Sequence, residues 1–294
     1  MEKRDFLKLL ATSAVAGSAG ALTVSSKQQL AVDSAMDESE STYDRIMREG
    51  KIRCGYYNAK PLIHINPNTG EFSGYAFDCA KRIADLLGVE LETTEEIGLE
   101  SFMDGLKTNR FDMTCGTIWP SVDRAKHVDF TSPLAYVPVL AVTRADDHRF
   151  SKDLNTINDP SVVISTLDGE MAQTIAAQDF PRAKILSVPQ LTPFSDVLLN
   201  ITHGKADITF AAPAAVYGFL ENHPGSLQFI HADQPLRLFS ETFAIRENDD
   251  KFQRLLNQAV QELLDSGFVD KTFEKYDLGV DSVYRVDKPF LELN

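Results

Sequence analysis

Asn109-Arg110-Phe111-Asp112-Met113-Thr114 returns in altered form as Gly204-Lys205-Ala206-Asp207-Ile208-Thr209. Each stretch reads as a helix end, a basic residue, an apolar residue, an Asp and then a buried strand. Only Asp and Thr are shared, so the pair supports two similarly built lobes and does not prove a duplication.

The pattern spreads outward from both copies. Ahead of the first, residues 52–57 read as a strand and Asn66-Pro67-Asn68-Thr69-Gly70 as a turn. Ala76, Ala80, Ile83, Ala84 and Leu87 recur at helical spacing, with Gly88 suited to the position just past the helix end. Residues 89–93 follow as a second strand, Leu99, Phe102, Met103 and Leu106 mark a second helix, and 111–116 a third strand. Around the second copy, strands at 162–165, 185–188 and 207–211 alternate with helices at 169–178 and 196–202. Such alternation implies mainly parallel α/β sheets.

Between the halves, residues 132–142 are apolar and extended, and Pro133 and Pro138 forbid an uninterrupted helix. A second extended stretch covers 236–245. Two crossings between two α/β lobes describe a hinge. Phe252, Leu255, Leu256, Ala259, Val260 and Leu263 then form an amphipathic helix ending at Gly267, which is expected to return to the first lobe. The expected division is 1–35 export signal and linker, 43–142 the first part of lobe one, 143–237 lobe two, and 238–294 the return strand and C-terminal helices of lobe one.

The 294 residues carry a formal charge of −14, with 43% hydrophobic and 24% charged residues. That is a globular balance with room for two domains. An acidic surface repels nucleic-acid backbones, and no basic run with interleaved aromatics offsets it, so nucleic acid is not an expected partner. Lys3 and Arg4 precede a mild apolar stretch over residues 9–22 that is too short for a membrane span. This reads as an export signal, placing the protein in the periplasm or outside the cell. Lys3-Arg4-Asp5-Phe6-Leu7-Lys8 resembles a twin-arginine signal with Lys in place of the first Arg. Cys54, Cys79 and Cys115 are an odd number without CxxC spacing, and all three are expected as small buried hydrophobes. No metal-spaced cluster, Gly-x-Ser-x-Gly element or phosphate-binding glycine loop is present, and the six histidines are scattered. No metal and no cofactor is expected.

Three stretches in order resemble the family-3 extracellular solute-binding proteins, the polar amino-acid receptors of ABC importers. Asp123-Arg124-Ala125-Lys126-His127-Val128-Asp129-Phe130-Thr131 is similar to that family's ERAKxVDFS signature. The run Gly70-Glu71-Phe72-Ser73-Gly74-Tyr75-Ala76-Phe77-Asp78 resembles its glycine element after the first strand, and Gly204-Lys205-Ala206-Asp207 its later strand entry. The resemblance spans roughly residues 43–280. It implies two Rossmann-like lobes joined by a two-strand hinge, the type II periplasmic binding protein. It further implies capture of a small anionic or zwitterionic solute by hinge closure, delivery to an ABC transporter permease, and a monomer.

By that resemblance Arg124 grips the ligand's carboxylate, a role suited to a planar guanidinium that donates two parallel hydrogen bonds. Thr117, just past the third strand, is placed to meet the same group. Trp119, the sole Trp, either stacks on the ligand or anchors the hinge. Tyr57 comes early for the aromatic that covers the ligand, and Lys60 adds positive charge if it points inward. Gly169 and Glu170 belong to the loop that offers backbone N–H groups at a helix start. There Asp168 suits an N-cap and Glu170 adds negative charge at the cleft mouth. Ala212 stands where amino-acid-binding relatives carry an Asp for the ligand's ammonium. Either Glu170 or Glu241 substitutes, or the ligand lacks a free α-amine. No catalytic residue is assigned. The alternative, a cyclohexadienyl or prephenate-type dehydratase on the same fold, uses Glu170 as general acid.

Overall fold

The computed structural model describes residues 40–279 and 281–286; the export-signal reading of residues 1–35 lies outside them. The chain opens with α1 (Thr42–Glu49), β1 (Lys51–Tyr56), the short pair β2 (His64–Ile65) and β3 (Phe72–Ser73), α2 (Tyr75–Leu87), β4 (Glu90–Glu96) and α3 (Phe102–Lys107). Next come β5 (Met113–Thr114), β6 (Val128–Phe130), β7 (Ala135–Arg144), β8 (Val163–Leu167), α4 (Met171–Asp179), β9 (Lys184–Val188) and α5 (Phe194–Thr202). It continues through β10 (Ile208–Ala211), α6 (Pro213–Leu220), β11 (Leu227–Ile230), β12 (Arg237–Glu241), β13 (Ala244–Arg246), α7 (Asp250–Asp265) and α8 (Phe268–Tyr276).

Two sheets build two α/β lobes. The first has the order β4-β1-β5-β13-β6, the second β11-β7-β10-β8-β9. In the first, β1 runs parallel to β4 and β5. In the second, β8 runs parallel to β9 and β10. The repeated hexapeptides occupy matching places in this plan. The Asp112 amide donates to the Arg53 carbonyl at 2.9 Å, and the Asp112 carboxylate accepts from the Arg53 amide at 2.7 Å. Asp207 does the same with Val163, at 2.8 Å in both directions. Each Asp thus ties the start of its lobe's third parallel strand to the first, and each is held by arginines: Arg45 and Arg53 at Asp112, Arg149 at Asp207. The left-handed residues Asn109 (φ 57°) and Gly204 (φ 70°) turn the chain off the preceding helix at equivalent points.

The link between the sheets is the pair β7 and β12. The first half of β7 pairs antiparallel with β12, from Ala135 opposite Glu241 to Val139 opposite Arg237. Its second half pairs with β10 and β11. On the first lobe, α7 and α8 bury Phe252, Leu256, Val260, Leu263, Val269 and Phe273 against Cys79, Ala80 and Ile83 of α2. Full burial of such side chains contributes about 1.5–3 kcal/mol each. The second sheet is covered on both faces, as its parallel core requires. Ile164, Ile208 and Phe210 meet Ala172 and Ile175 of α4, while Val142 meets Leu198, Ile201 and Val216.

The structure corrects some expectations. Cys54 and Cys115 are not both simple buried hydrophobes: they form a disulfide, and only Cys79 is a free, buried thiol. Parallel pairing of β1 with β5 sets their Cα atoms 5.4 Å apart, inside the range a disulfide spans. The second helix starts at Phe102 and not at Leu99, because residues 98–101 form a turn in which the Gly98 carbonyl accepts from the Ser101 and Phe102 amides, both at 3.1 Å.

Candidate functional site

Beyond β5 the chain bends at Cys115-Gly116 and then runs beside the segment after β12. Ile118 donates to the Thr242 carbonyl at 2.6 Å, and the Thr242 hydroxyl donates to the Ile118 carbonyl at 2.7 Å. Alternation along this stretch points Thr117 and Trp119 to one side. Both reach the buried carboxylate of Glu241: the Thr117 hydroxyl donates to Oε2, and Trp119 Nε1 donates to Oε1 at 2.8 Å. Trp119 also stacks on Phe239, centroids 4.8 Å apart and planes 10° from parallel. These are hinge-anchor contacts, since Phe239 and Glu241 both lie on β12. The Tyr57 hydroxyl closes the other side by donating to the Thr117 carbonyl at 2.5 Å. Gly116 permits this, as a Cβ there would lie 2.6 Å from the Tyr57 ring.

Arg124 opens a single 3-10 turn (Arg124–Lys126) and is 8% exposed. Its guanidinium lies over the Phe102 ring, 5.6 Å from the centroid. Nη1 donates to the Trp119 carbonyl at 2.7 Å, and Nη2 to the Gly169 carbonyl, also at 2.7 Å. Trp119 is on the first lobe and Gly169 on the second, so one side chain joins both. Burial lowers the Arg124 pKa, while Glu170 and Tyr57 act against that fall; an arginine stays charged regardless.

Glu170, not Asp168, caps α4: its carboxylate accepts from the Ala172 amide at 2.8 Å. Asp168 is drawn off because its amide still pairs with the Val188 carbonyl at 3.0 Å, prolonging the β8–β9 ladder, and its carboxylate accepts from Ser187. Burial pushes the Glu170 pKa up to about 7, against the opposing pull of the Ala172 amide and the Arg124 charge. At neutral pH this group is therefore partly protonated and not a fixed negative charge. Burial likewise pushes Glu241 up to about 7; the groups opposing it are Trp119 and Tyr75, both uncharged. The phenols of Tyr57 and Tyr75 are raised by burial and by the neighbouring Glu241.

Of the residues singled out in the sequence, Tyr57, Thr117, Trp119, Arg124, Gly169 and Glu170 thus fall into one connected set. Ala212 is the N-cap residue of α6 and brings no side-chain hydrogen bond. Lys60 is exposed. Sequence reasoning raised Glu241 only as a substitute acid and missed its central place, along with Tyr75 and Phe239. The available signal was that Glu241 is the lone acid in the apolar stretch 236–245.

Comparison with known proteins adds an independent line. The model of the bacterial extracellular solute-binding proteins, family 3, matches residues 52–279. The chain belongs to that family. Among curated relatives, it is 24% identical over 249 residues to a cyclohexadienyl dehydratase of Pseudomonas aeruginosa, covering 84% of this chain and 90% of the relative. It is also 24% identical over 225 residues to a probable amino-acid ABC transporter-binding protein of Haemophilus influenzae, covering 76% and 83%. Among solved structures, the ancestral amino acid-binding protein AncCDT-1, a precursor of cyclohexadienyl dehydratase, matches with a TM-score of 0.71 and 25% identity over 81% of this chain and 99% of that one. A cysteine-binding protein from Campylobacter jejuni has the same TM-score at 19% identity, covering 83% and 99%, a likeness of fold. Among the described residues, no helix is long and apolar enough to cross a membrane.

Proposed function

We propose that this family-3 protein is the extracytoplasmic substrate-binding component of an ABC importer and closes its lobes on a small carboxylate-bearing solute. The observation that carries the reading is Arg124. It is a buried guanidinium with one hydrogen bond to each lobe and N–H groups to spare, set beyond the strand ends where open α/β sheets take ligands. A ligand carboxylate on Arg124 favours the closed state because its partners come from both lobes. Thr117, Trp119, Tyr57, Gly169 and Glu170 frame the same place, and the resident acids are Glu170 and Glu241, not the residue at 212. The solute is an amino acid or a related organic acid. Membership of the family supports a permease partner, and the signal-like sequence of residues 1–35 supports export to the periplasm.

Calorimetry against a panel of amino acids and organic acids tests this. Arg124→Ala is expected to weaken binding of the best solute at least 30-fold, the loss typical when one partner of a desolvated charge pair is removed. Unchanged affinity in that variant would remove Arg124 from the site.

One observation favours a second reading. A carboxyl with a pKa of about 7 beside an anion-binding Arg is what a general acid for dehydration requires, and Glu170 has both properties. On that reading Glu170 gives its proton to a departing hydroxyl, which leaves as water as the ring carboxylate leaves as carbon dioxide and its bonding electrons make the ring aromatic, while Arg124 holds the side-chain carboxylate. Incubation with prephenate or arogenate separates the two: turnover abolished by Glu170→Gln supports an enzyme, and saturable binding without product supports the receptor.

A further inference from the structure

The segment joining β4 to α3 receives two loops of the second lobe. Gly169 is so close to it that a Cβ there would lie 2.5 Å from Cγ of Glu100 and 2.8 Å from its amide nitrogen. Gly98 is tighter still. A Cβ on Gly98 would lie 1.9 Å from Oε1 of Gln190, 2.6 Å from Cδ and 3.2 Å from Cγ. The Gln190 amide therefore rests on the bare backbone of Gly98, in space that any other residue would fill.

Two further features of the Gln190 loop are unusual. Its Oε1 is buried and accepts no hydrogen bond within the protein, an arrangement that costs stability unless something else demands it. The loop is a tight turn in which the Thr192 amide donates to the Pro189 carbonyl at 3.2 Å. Leu191, at its third position, has φ 69° and is 60% exposed. A turn with positive φ at that position ordinarily carries Gly or Asn, and a branched side chain there is strained. Leu191 gains no burial in return. Strain of this kind persists where the surroundings fix the backbone for another purpose.

We infer that Gln190 is a positioning residue of the cleft: its side chain, held out by the strained turn, seats on Gly98 and sets how far the lobes approach. The inference rests on the solute-binding reading for its purpose, but the contact itself is independent of any ligand. Gly98 serves as the seat because it has no side chain, and its φ is not in the left-handed region, so the absence of a side chain is what the position uses. Gln190 thereby fixes the distance between Arg124 on one lobe and the Gly169 carbonyl on the other.

Cysteine pairing reads the contact directly. With Cγ of residue 190 only 3.2 Å from the Cβ site of residue 98, the variant Gly98→Cys/Gln190→Cys brings its two Cβ atoms within disulfide reach when the lobes meet. Mild oxidation of the folded variant, followed by peptide mass mapping under non-reducing conditions, is expected to show a 98–190 linkage in most molecules. Absence of that linkage in folded protein overturns the inference. A second arm leaves Gly98 native. Gln190→Cys labelled with a benzophenone maleimide is expected, on irradiation, to give adducts in the segment 98–102; adducts confined to the second lobe overturn it. Neither arm uses a solute. Linkage without calorimetric binding therefore counts against the receptor reading alone, and binding without linkage counts against the seat alone.

Discussion

Glu241→Gln should make the protein less sensitive to pH, and the size of the effect follows from the burial of that carboxyl. The folded-state pKa is about 7 against an ordinary 4.5, with burial the largest cause. Below about pH 4.5 the group is neutral in both folded and unfolded chains, and its contribution is fully present. As pH rises from 4.5 to 7 the unfolded chain releases the proton while the folded one keeps it, so stability falls; above about 7 the loss is complete. At 1.36 kcal/mol for each pH unit, the full span costs about 3 kcal/mol. Gln mimics the protonated acid. Its amide oxygen accepts from Trp119 Nε1, and its NH₂ donates to the Thr117 hydroxyl, which accepts as readily as it donates. Wild type and variant should then be of comparable stability at pH 4, and the variant more stable by about 3 kcal/mol at pH 8. Glu170 titrates in the same window but is present in both proteins and cancels in the difference. Urea unfolding at five pH values from 4 to 8, followed by circular dichroism, measures this. A stability difference constant to within about 0.5 kcal/mol would refute the claim that Glu241 is buried without a cationic partner.

Three further outcomes are expected. Trp119 is the sole tryptophan and donates to Glu241, so its emission should titrate with a midpoint near pH 7 in the wild type and stay flat in Glu241→Gln; a flat wild-type profile would count against the hydrogen bond. The Cys54–Cys115 bridge closes a loop with a sequence separation of 61, which by loop entropy stabilises the fold by about 4 kcal/mol. Cys54→Ser/Cys115→Ser should lower the melting temperature accordingly, and an unchanged value would place the bridge outside the native protein. Native protein should show one thiol, slow to react because Cys79 is buried and its pKa is raised, against a Cys79→Ser variant with none.

How much of this was legible in the sequence depends on whether the cause was local. The α2 stripe of Ala76, Ala80, Ile83 and Ala84 and the αL Gly88 at its end are set by neighbours within a turn or two, and both stand where the spacing puts them. The extended crossing could be read because Pro133 and Pro138 leave the backbone little else. What stayed hidden depends on contacts between distant segments. The bond between Thr117 and Glu241 joins residues 124 apart. The Cys54–Cys115 bond requires that β1 and β5 lie side by side, which cysteine spacing does not encode. By residue type Asp168 is the better N-cap, and Glu170 is not one of the favoured residues. The choice fell to Glu170 because β8 runs to Leu167, two residues past the expected end at 165, and the Asp168 amide still pairs with Val188.

The repeated hexapeptides give this difference a structural meaning. Thr117 follows Asp112 by the same number of residues as Ala212 follows Asp207, and the two aspartates hold equivalent hydrogen bonds. Thr117 and Ala212 are therefore counterparts, one just beyond the third parallel strand of each lobe. On the first lobe that position carries a hydroxyl bonded to a buried carboxyl from β12. On the second it carries a methyl at the start of α6. The acid that the second lobe lacks at residue 212 is thus balanced by one supplied from the hinge strand, beside Trp119 and on the same lobe as Arg124. On the proposed solute-binding reading, a carboxyl placed there would approach the ligand from the same lobe as the guanidinium, and burial keeps it neutral below about pH 7. On that reading, recognition of a cationic group by Glu241 would release its proton, so the affinity for a zwitterion should rise as pH climbs toward 7 and level off above it, whereas the affinity for a simple carboxylate should not rise. That contrast ties the identity of the solute to a titration, and it arises because residue 212 is alanine.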